Sequence, residues 1–376
     1  MPIYVDVSAA VHSRAGLGRY AESLVRALTD RYPNRWGLFY NRGPGSRPLP
    51  GLERLPAHTV RAGYKPWRLA VYVGQLAGIG FDRWLPDAEL FHATEHLLLP
   101  LRRTPTVLTV HDLIFRLFPQ HHKRLNRWYL HLAVPLFCRR ADAIIAISES
   151  TRRDLVAHFG IDAGKITVVY EAAAPHFRPA PAAECAAIRA MYGLPERYLL
   201  HVGTLEPRKN LVRLLDALDL LRREGHRLPL VLVGAKGWLY EGFFRRLDEL
   251  GWGEEVKLLG YVPDADLSAV YSAATACVLP SVYEGFGLPV LEAMACGAPV
   301  VCSRTSSLPE LGGDVARYFD PHQTEDMATQ LNAVWSDDAL RREMGAAGLT
   351  RAAGFSWSRT AEETMAVYRR LLGGAA

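Results

Sequence analysis

The chain has 376 residues, 49% hydrophobic and 22% charged, ordinary globular proportions with length enough for two buried cores. Its 44 basic and 39 acidic residues leave a net charge of +5. That suits small anionic ligands or an anionic lipid surface and does not describe a dedicated nucleic-acid binder.

Pro2-Ile3-Tyr4-Val5-Asp6 reads at once as a strand, so no leader peptide is expected at the start. No apolar run reaches the roughly 18 residues of a membrane span, and a cytoplasmic protein, soluble or peripheral at the inner face of the cell membrane, is expected. The first half shows strand patterns at 3–7, 36–40, 90–92, 106–110, 143–147 and 166–169, with helical patterns at 18–31, 126–140 and after Ser148-Glu149-Ser150. Segment 172–181 then holds three prolines and no periodicity, which marks a linker, set at 175–187. Strand patterns resume at 198–202, 230–233, 256–259, 276–279 and 300–302. This alternation predicts α/β architecture with parallel sheets: two Rossmann-like domains, 1–174 and 188–357, facing each other across a cleft. The five cysteines, Cys138, Cys185, Cys277, Cys296 and Cys302, are odd in number and lack CxxC spacing, so reduced thiols are expected.

The richest stretch is Ser281-Val282-Tyr283-Glu284-Gly285-Phe286-Gly287-Leu288-Pro289-Val290-Leu291-Glu292. It lies between two strand-like runs, at the carboxyl end of a predicted parallel strand, where open α/β sheets bind ligands. Pro289 suits a first helical turn and Gly297 a helix end, which predicts a short helix over 288–296. Glu284 then stands in the loop and Glu292 about one turn into the helix. The amides of Gly287 and Leu288 at the helix start suit phosphate oxygens, and carboxylates suit sugar and ribose hydroxyls. Upstream, Arg208 and Lys209 follow strand 198–202 and its loop Gly203-Thr204, placed to neutralise a diphosphate.

The form EGFGLPVLE resembles the signature of retaining glycosyltransferases of family 4, which have the GT-B fold. The resemblance takes in His201-Val202-Gly203-Thr204-Leu205-Glu206-Pro207-Arg208-Lys209-Asn210, Val231-Leu232-Val233-Gly234 and Gly260-Tyr261-Val262-Pro263, and more loosely Gly16-Leu17-Gly18-Arg19-Tyr20 and His111-Asp112-Leu113. It implies a nucleotide-diphosphate sugar donor and a glycan or lipid-linked acceptor. Arg208 and Lys209 fall on the diphosphate, Glu284 with Gly285, Phe286, Gly287 and Leu288 around the donor, Glu292 on the ribose, and His111 on the transferred sugar. It also implies a last helix, about 358–376, that crosses back to the N-terminal domain. SRAGLGRY and HDLIFRLFP are most similar to bacterial mannosyltransferases that use GDP-mannose. A nucleotide-sugar epimerase and a non-catalytic sugar-nucleotide-binding protein are the alternatives.

Gly16-Leu17-Gly18-Arg19-Tyr20-Ala21 also fits the dinucleotide fingerprint. The strand 36–40 ends without the acidic residue that a nicotinamide site needs, so a glycine loop near the donor diphosphate is the preferred reading. Tyr261 and Val262 are expected to line a base pocket, with a plain strand-to-helix turn as the equal alternative. Asp264-Ala265-Asp266 imitates a metal motif, but N-capping of a helix over 267–274 explains it, and neither metal nor resident cofactor is expected. Two irregular basic and aromatic stretches are candidate acceptor or anionic-membrane surfaces: Arg61, Tyr64, Lys65, Trp67, Arg68, Tyr72, Arg83 and Trp84, then His121, His122, Lys123, Arg124, Arg127, Trp128, Arg139 and Arg140. Oligomeric state is not legible.

Overall fold

The computed structural model describes residues 2–13, 15–121, 124–253 and 255–373. It divides into two compact units, Met1–Glu171 with Ser356–Ala376, and Ala172–Phe355.

The first unit is built on strands β1 (Ile3–Asp6), β2 (Trp36–Arg42), β3 (Ala57–Arg61), β4 (Leu90–Ala93), β5 (Thr106–Val110), β6 (Ala143–Ala146) and β7 (Ile166–Val168). They form one parallel sheet in the order β3-β2-β1-β4-β5-β6-β7. Strands β1, β4, β5 and β6 are buried along their whole length, and their near-continuous Ile, Val, Leu and Phe runs follow from helices covering both faces. After β1 the chain forms a one-turn helix, Ser8–Val11. The stretch expected to be irregular around Tyr64–Tyr72 is a 14-residue helix, Tyr64–Ala77, ended by Gly78 in the left-handed conformation. The last helix, Trp357–Leu371, begins at a Ser356 cap and belongs to this first unit. Trp357 packs near Tyr20, and the Tyr368 hydroxyl meets His92 Nδ1 at 2.6 Å in the core.

The second unit contains β8 (Leu199–Val202), β9 (Leu230–Val233), β10 (Val256–Gly260), β11 (Ala276–Leu279), β12 (Val300–Ser303) and β13 (Arg317–Phe319). Their parallel order is β10-β9-β8-β11-β12-β13. The chain runs outward from β8 to β10 and returns to add β11 on the other side of β8, so the order reverses between β8 and β11. Ligands of open α/β sheets bind outside the carboxyl ends of strands at such a reversal. Part of the expected linker 175–187 is helical: the helix Ala182–Tyr192, capped at Pro181, packs on Asp264–Ser272 within the second unit.

Candidate active site

Two loops leave the sheet at its point of reversal, 203–210 after β8 and 280–287 after β11. Glycine sets how closely the strand ends approach. Gly203 N–H donates to the Val233 carbonyl at 2.8 Å, and Gly234 N–H donates to that of Gly260 at 2.7 Å. A Cβ on Gly234, whose φ is +142°, would stand 2.1 Å from the Gly203 carbonyl oxygen, which no side chain tolerates.

Pro207–Lys209 form a single 3-10 turn, with Asn210 in the left-handed conformation. The turn aims two cations at the second loop. Lys209 Nζ donates to Glu284 Oε1 at 2.7 Å, and Arg208 Nη1 meets Glu284 Oε2 at 2.5 Å. Arg208 also donates to the Tyr283 carbonyl at 2.7 Å and pairs with Glu206 at 2.5 Å. Ser281 Oγ donates to Glu284 Oε1 at 2.6 Å, and Ser306 Oγ accepts the Glu284 amide at 2.8 Å. Burial would raise the Glu284 carboxyl, but Arg208 and Lys209 overcome it and hold the group well below the usual carboxylate range. Burial pushes the Lys209 amine down, and Glu284 opposes that shift. Two cations thus balance two carboxylates, and they favour the ionised form of Glu284.

His201 lies beneath this cluster, fully buried, its Nδ1–H donating to the Val278 carbonyl at 3.0 Å while its Nε2 has no partner. Burial, reinforced by the Lys209 charge, holds it down to about 4, so the ring is neutral. A Cβ at Gly203 would approach this nitrogen and the Lys209 stem at 3.3 Å each.

The helix Leu288–Ala295 starts from Gly287, at φ +110°, with Pro289 in its first turn. A Cβ on Gly287 would stand 2.7 Å from Leu308. The first-turn amides have no acceptor within the helix. Glu292 is only 2% exposed, and its Oε2 accepts the Tyr271 hydroxyl hydrogen at 2.8 Å. Of the expected base-pocket pair, Val262 is 2% exposed and Tyr261 is 79% exposed. Thr204 is half-buried beside Gly203.

The first-unit candidates are placed differently. Gly16 and Gly18 do not form a loop: both lie at the start of the helix Ala15–Arg31. A Cβ on Gly18 would come within 2.8 Å of the Ala9 carbonyl oxygen, so this glycine lets Ser8–Val11 pack closely, while Gly16 faces open space. His111 is buried at the end of β5. Its Nε2–H donates to the Thr94 carbonyl at 2.8 Å and its Nδ1 faces Glu171 at 3.5 Å. Burial opposes its charge, yet Glu171 and the Thr94 carbonyl raise its pKa. Asp264 and Asp266 are not N-caps, since Pro263 holds that position; they are first-turn charges of the helix Asp264–Ser272. Asp266 accepts the Tyr192 hydroxyl hydrogen at 2.6 Å. Among the described residues, no group of three or more His, Cys, Asp or Glu is placed to hold a metal ion. All five cysteines are buried and unpaired.

Of the two basic, aromatic stretches, Trp67 belongs to the core, and His122 and Lys123 lie outside the described residues. Sequence reading missed Glu206, Ser281 and Ser306 around the cluster, and Glu171 behind His111. Glu206 stands two residues before Arg208, which was its one available signal.

Residues 14–175 match the family described as Glycosyltransferase Family 4, and residues 188–351 match Glycosyl transferases group 1. Over 278 residues the chain is 36% identical to O-antigen chain mannosyltransferase B of Escherichia coli, an alignment covering 73% of this chain and 72% of that protein. The chain belongs to the family 4 glycosyltransferases. A second E. coli relative, the serotype-specific mannosyltransferase WbdA, is 32% identical over 275 residues, 71% of this chain, but the alignment covers only 34% of that longer protein. Solved structures agree on the fold of this glycosyltransferase. Sucrose-phosphate synthase of Thermosynechococcus elongatus superposes with a TM-score of 0.77 at 21% identity, covering 100% of both chains. HepE of Anabaena, in complex with UDP and glucose, gives 0.74 at 20% identity, covering 98% of this chain and 99% of that one. The fold is GT-B.

Proposed function

We propose that this glycosyltransferase moves mannose from GDP-mannose to a hydroxyl of a glycan or lipid-linked acceptor, with retention at the anomeric carbon and without a metal ion. The observation that carries the reading is the buried Arg208–Glu284–Lys209 cluster at the reversal of the second sheet. The kinship to O-antigen chain mannosyltransferase B supports the choice of sugar.

Glu284 is ionised and accepts hydrogen bonds only, so it serves as a partner for sugar hydroxyls and not as a proton donor. The donor diphosphate competes with Glu284 for Arg208 and Lys209, and as it draws these cations the carboxylate's lone pairs turn to the sugar. The first-turn amides of Leu288–Ala295 supply further donors to phosphate. In the reaction the anomeric carbon–phosphate oxygen bond breaks, and its electron pair stays on the diphosphate. Arg208 and Lys209 stabilise the charge that develops there. The acceptor oxygen bonds to the anomeric carbon on the same face, and its proton passes to the departing diphosphate. Glu292, whose Oε2 accepts from Tyr271, is the partner for ribose hydroxyls. Gly203, Thr204, Tyr261 and Val262 border the nucleotide, and His111 is assigned to the transferred sugar. Both His111 ring nitrogens meet protein groups, and Glu171 favours its charged form against the cost of burial.

The test is incubation of the purified chain with GDP-mannose, with and without an α-mannoside acceptor. GDP release coupled to formation of a retained-configuration disaccharide supports the reading. Conversion of the donor without an acceptor would instead identify an epimerase.

A further inference from the structure

Leu199, Leu200 and His201 of β8 are all fully buried, and a parallel strand covered on both faces calls for apolar side chains there. His201 breaks that run at the end of a ladder. Strands β8 and β11 pair as far as Leu200 with Cys277. One residue further on, the His201 ring takes over from the backbone, with Nδ1 3.0 Å from the Val278 carbonyl oxygen. A carbonyl only accepts, which assigns the proton to Nδ1. Burial and the Lys209 charge hold the ring down to about 4, and a neutral ring carries one proton. Nε2 is therefore a lone-pair acceptor, and no described residue bonds to it. A buried acceptor without a donor is rare in a folded protein and calls for a reason.

A donor for it stands close by. Lys209 is buried, and one hydrogen of its ammonium goes to Glu284 Oε1 at 2.7 Å, which leaves two. A Cβ on Gly203 would stand 3.3 Å from His201 Nε2, 3.3 Å from Lys209 Cε and 3.5 Å from Lys209 Nζ. The ring nitrogen and the ammonium thus flank a single point, which glycine leaves clear. A diphosphate that draws the ammonium from Glu284 leaves it in need of another acceptor within a dry site. A second carboxylate there would cancel the charge that the phosphate needs. A neutral imidazole nitrogen holds the ammonium without cancelling it.

We propose that His201 is a positioning residue for the transfer: its Nε2 accepts a hydrogen bond from Lys209 when the diphosphate draws that ammonium off Glu284, and it holds the cation against the departing phosphate. The inference rests on the assignment of Lys209 to the diphosphate.

Two substitutions separate the two ring nitrogens. His201→Asn keeps an N–H for the Val278 carbonyl and removes the acceptor at Nε2. His201→Gln puts an amide oxygen where Nε2 stands and gives up the bond to Val278. The readouts are unfolding temperature, affinity for inorganic pyrophosphate by calorimetry, and single-turnover rate with GDP-mannose and an α-mannoside acceptor. Pyrophosphate carries neither base nor sugar, so that readout stands whatever the donor. His201→Asn should unfold near the wild-type temperature, yet lose at least about tenfold in pyrophosphate affinity and in rate, the size of one hydrogen bond to a charged group. His201→Gln should restore both while unfolding at a lower temperature. In the Lys209→Ala background, His201→Asn should cost nothing further. Losses that follow unfolding temperature across the two variants, or that add in full to those of Lys209→Ala, overturn the proposal. So does wild-type affinity and rate in His201→Asn. Wild-type pyrophosphate affinity in Lys209→Ala would instead remove the cation's assignment to the diphosphate, and the proposal with it.

Discussion

Lys209 and Glu284, 75 positions apart in the chain, meet at 2.7 Å in the interior of the second unit. The pair joins the loop after β8 to the loop after β11, across the point where the strand order reverses. Arg208 closes the other oxygen of the same carboxylate. On the proposed reading the site is preset: the cations assigned to the diphosphate are already desolvated and held by the carboxylate assigned to the sugar.

Removing either cation should cut turnover while leaving a folded protein. Arg208→Ala and Lys209→Ala each remove charge stabilisation worth about 2–4 kcal/mol in the transition state, a loss of roughly thirtyfold to a thousandfold in rate. Single-turnover rates at saturating donor check this, with circular dichroism to confirm folding. Wild-type rates in both variants would remove these residues from the chemistry.

The two glutamates should separate by role. Glu284→Ala should lower the catalytic rate more than it weakens nucleotide binding, because its partner is the reacting sugar. Glu292→Ala should weaken binding of the bare nucleoside diphosphate. Calorimetric titration beside single-turnover rates distinguishes them, and the assignment fails if Glu292→Ala binds the diphosphate as tightly as wild type.

Gly234→Ala tests the close approach of the strand ends. Its Cβ would stand 2.1 Å from a backbone oxygen at an unfavourable φ, so the loop that carries Lys209 must move. The expected cost is about 2–4 kcal/mol of stability, measured by urea unfolding, with turnover falling further than stability alone explains.

Much of this was legible in the sequence, and what was not has a physical pattern. Strands such as Leu230–Val233 and Ala276–Leu279 are buried on both faces and read as unbroken apolar runs. The missed strands Ala57–Arg61 and Arg317–Phe319 lie at sheet edges, where partial exposure admits polar residues. The helix Tyr64–Ala77 escaped notice because it is apolar outside as well as inside, which blurs its period. Arg208, Lys209 and Glu284 were found by motif. The contacts of Glu206, Ser281, Ser306 and Glu171 depend on loop conformation and tertiary approach, which local spacing does not encode.

Acid should destabilise the protein before its carboxylates titrate. His92, enclosed by Thr109 and Tyr368, is held down to about 3 by burial and then by the charge of His111. A histidine depressed in the folded state contributes stability that is present above its unfolded value of 6.5 and lost as pH falls toward the folded value. His201, held down to about 4, adds in the same window. His111, raised, acts with the opposite sign: its contribution is present below 6.5 and lost as pH rises through its folded value. Urea unfolding from pH 7 to pH 4 should show falling stability, roughly 3 kcal/mol of it from His92, with a shallower slope in His92→Gln. A slope unchanged by that substitution would contradict the assignment.

Chelation should leave turnover intact, because the proposed mechanism gives the diphosphate to side-chain cations and helix-end amides. Rates measured in excess EDTA, with and without added Mg²⁺ or Mn²⁺, check this. Loss that is restored by metal would return Asp264 and Asp266 to consideration as ligands.

The most direct measurement is the anomeric configuration and donor dependence of the product. Purified chain, GDP-mannose and an α-mannoside acceptor are followed by proton NMR, beside the Arg208→Ala protein. The account predicts an α-linked product from the α-linked donor, one GDP per bond formed, and loss of both in the variant. An inverted product, or undiminished transfer by Arg208→Ala, would contradict it.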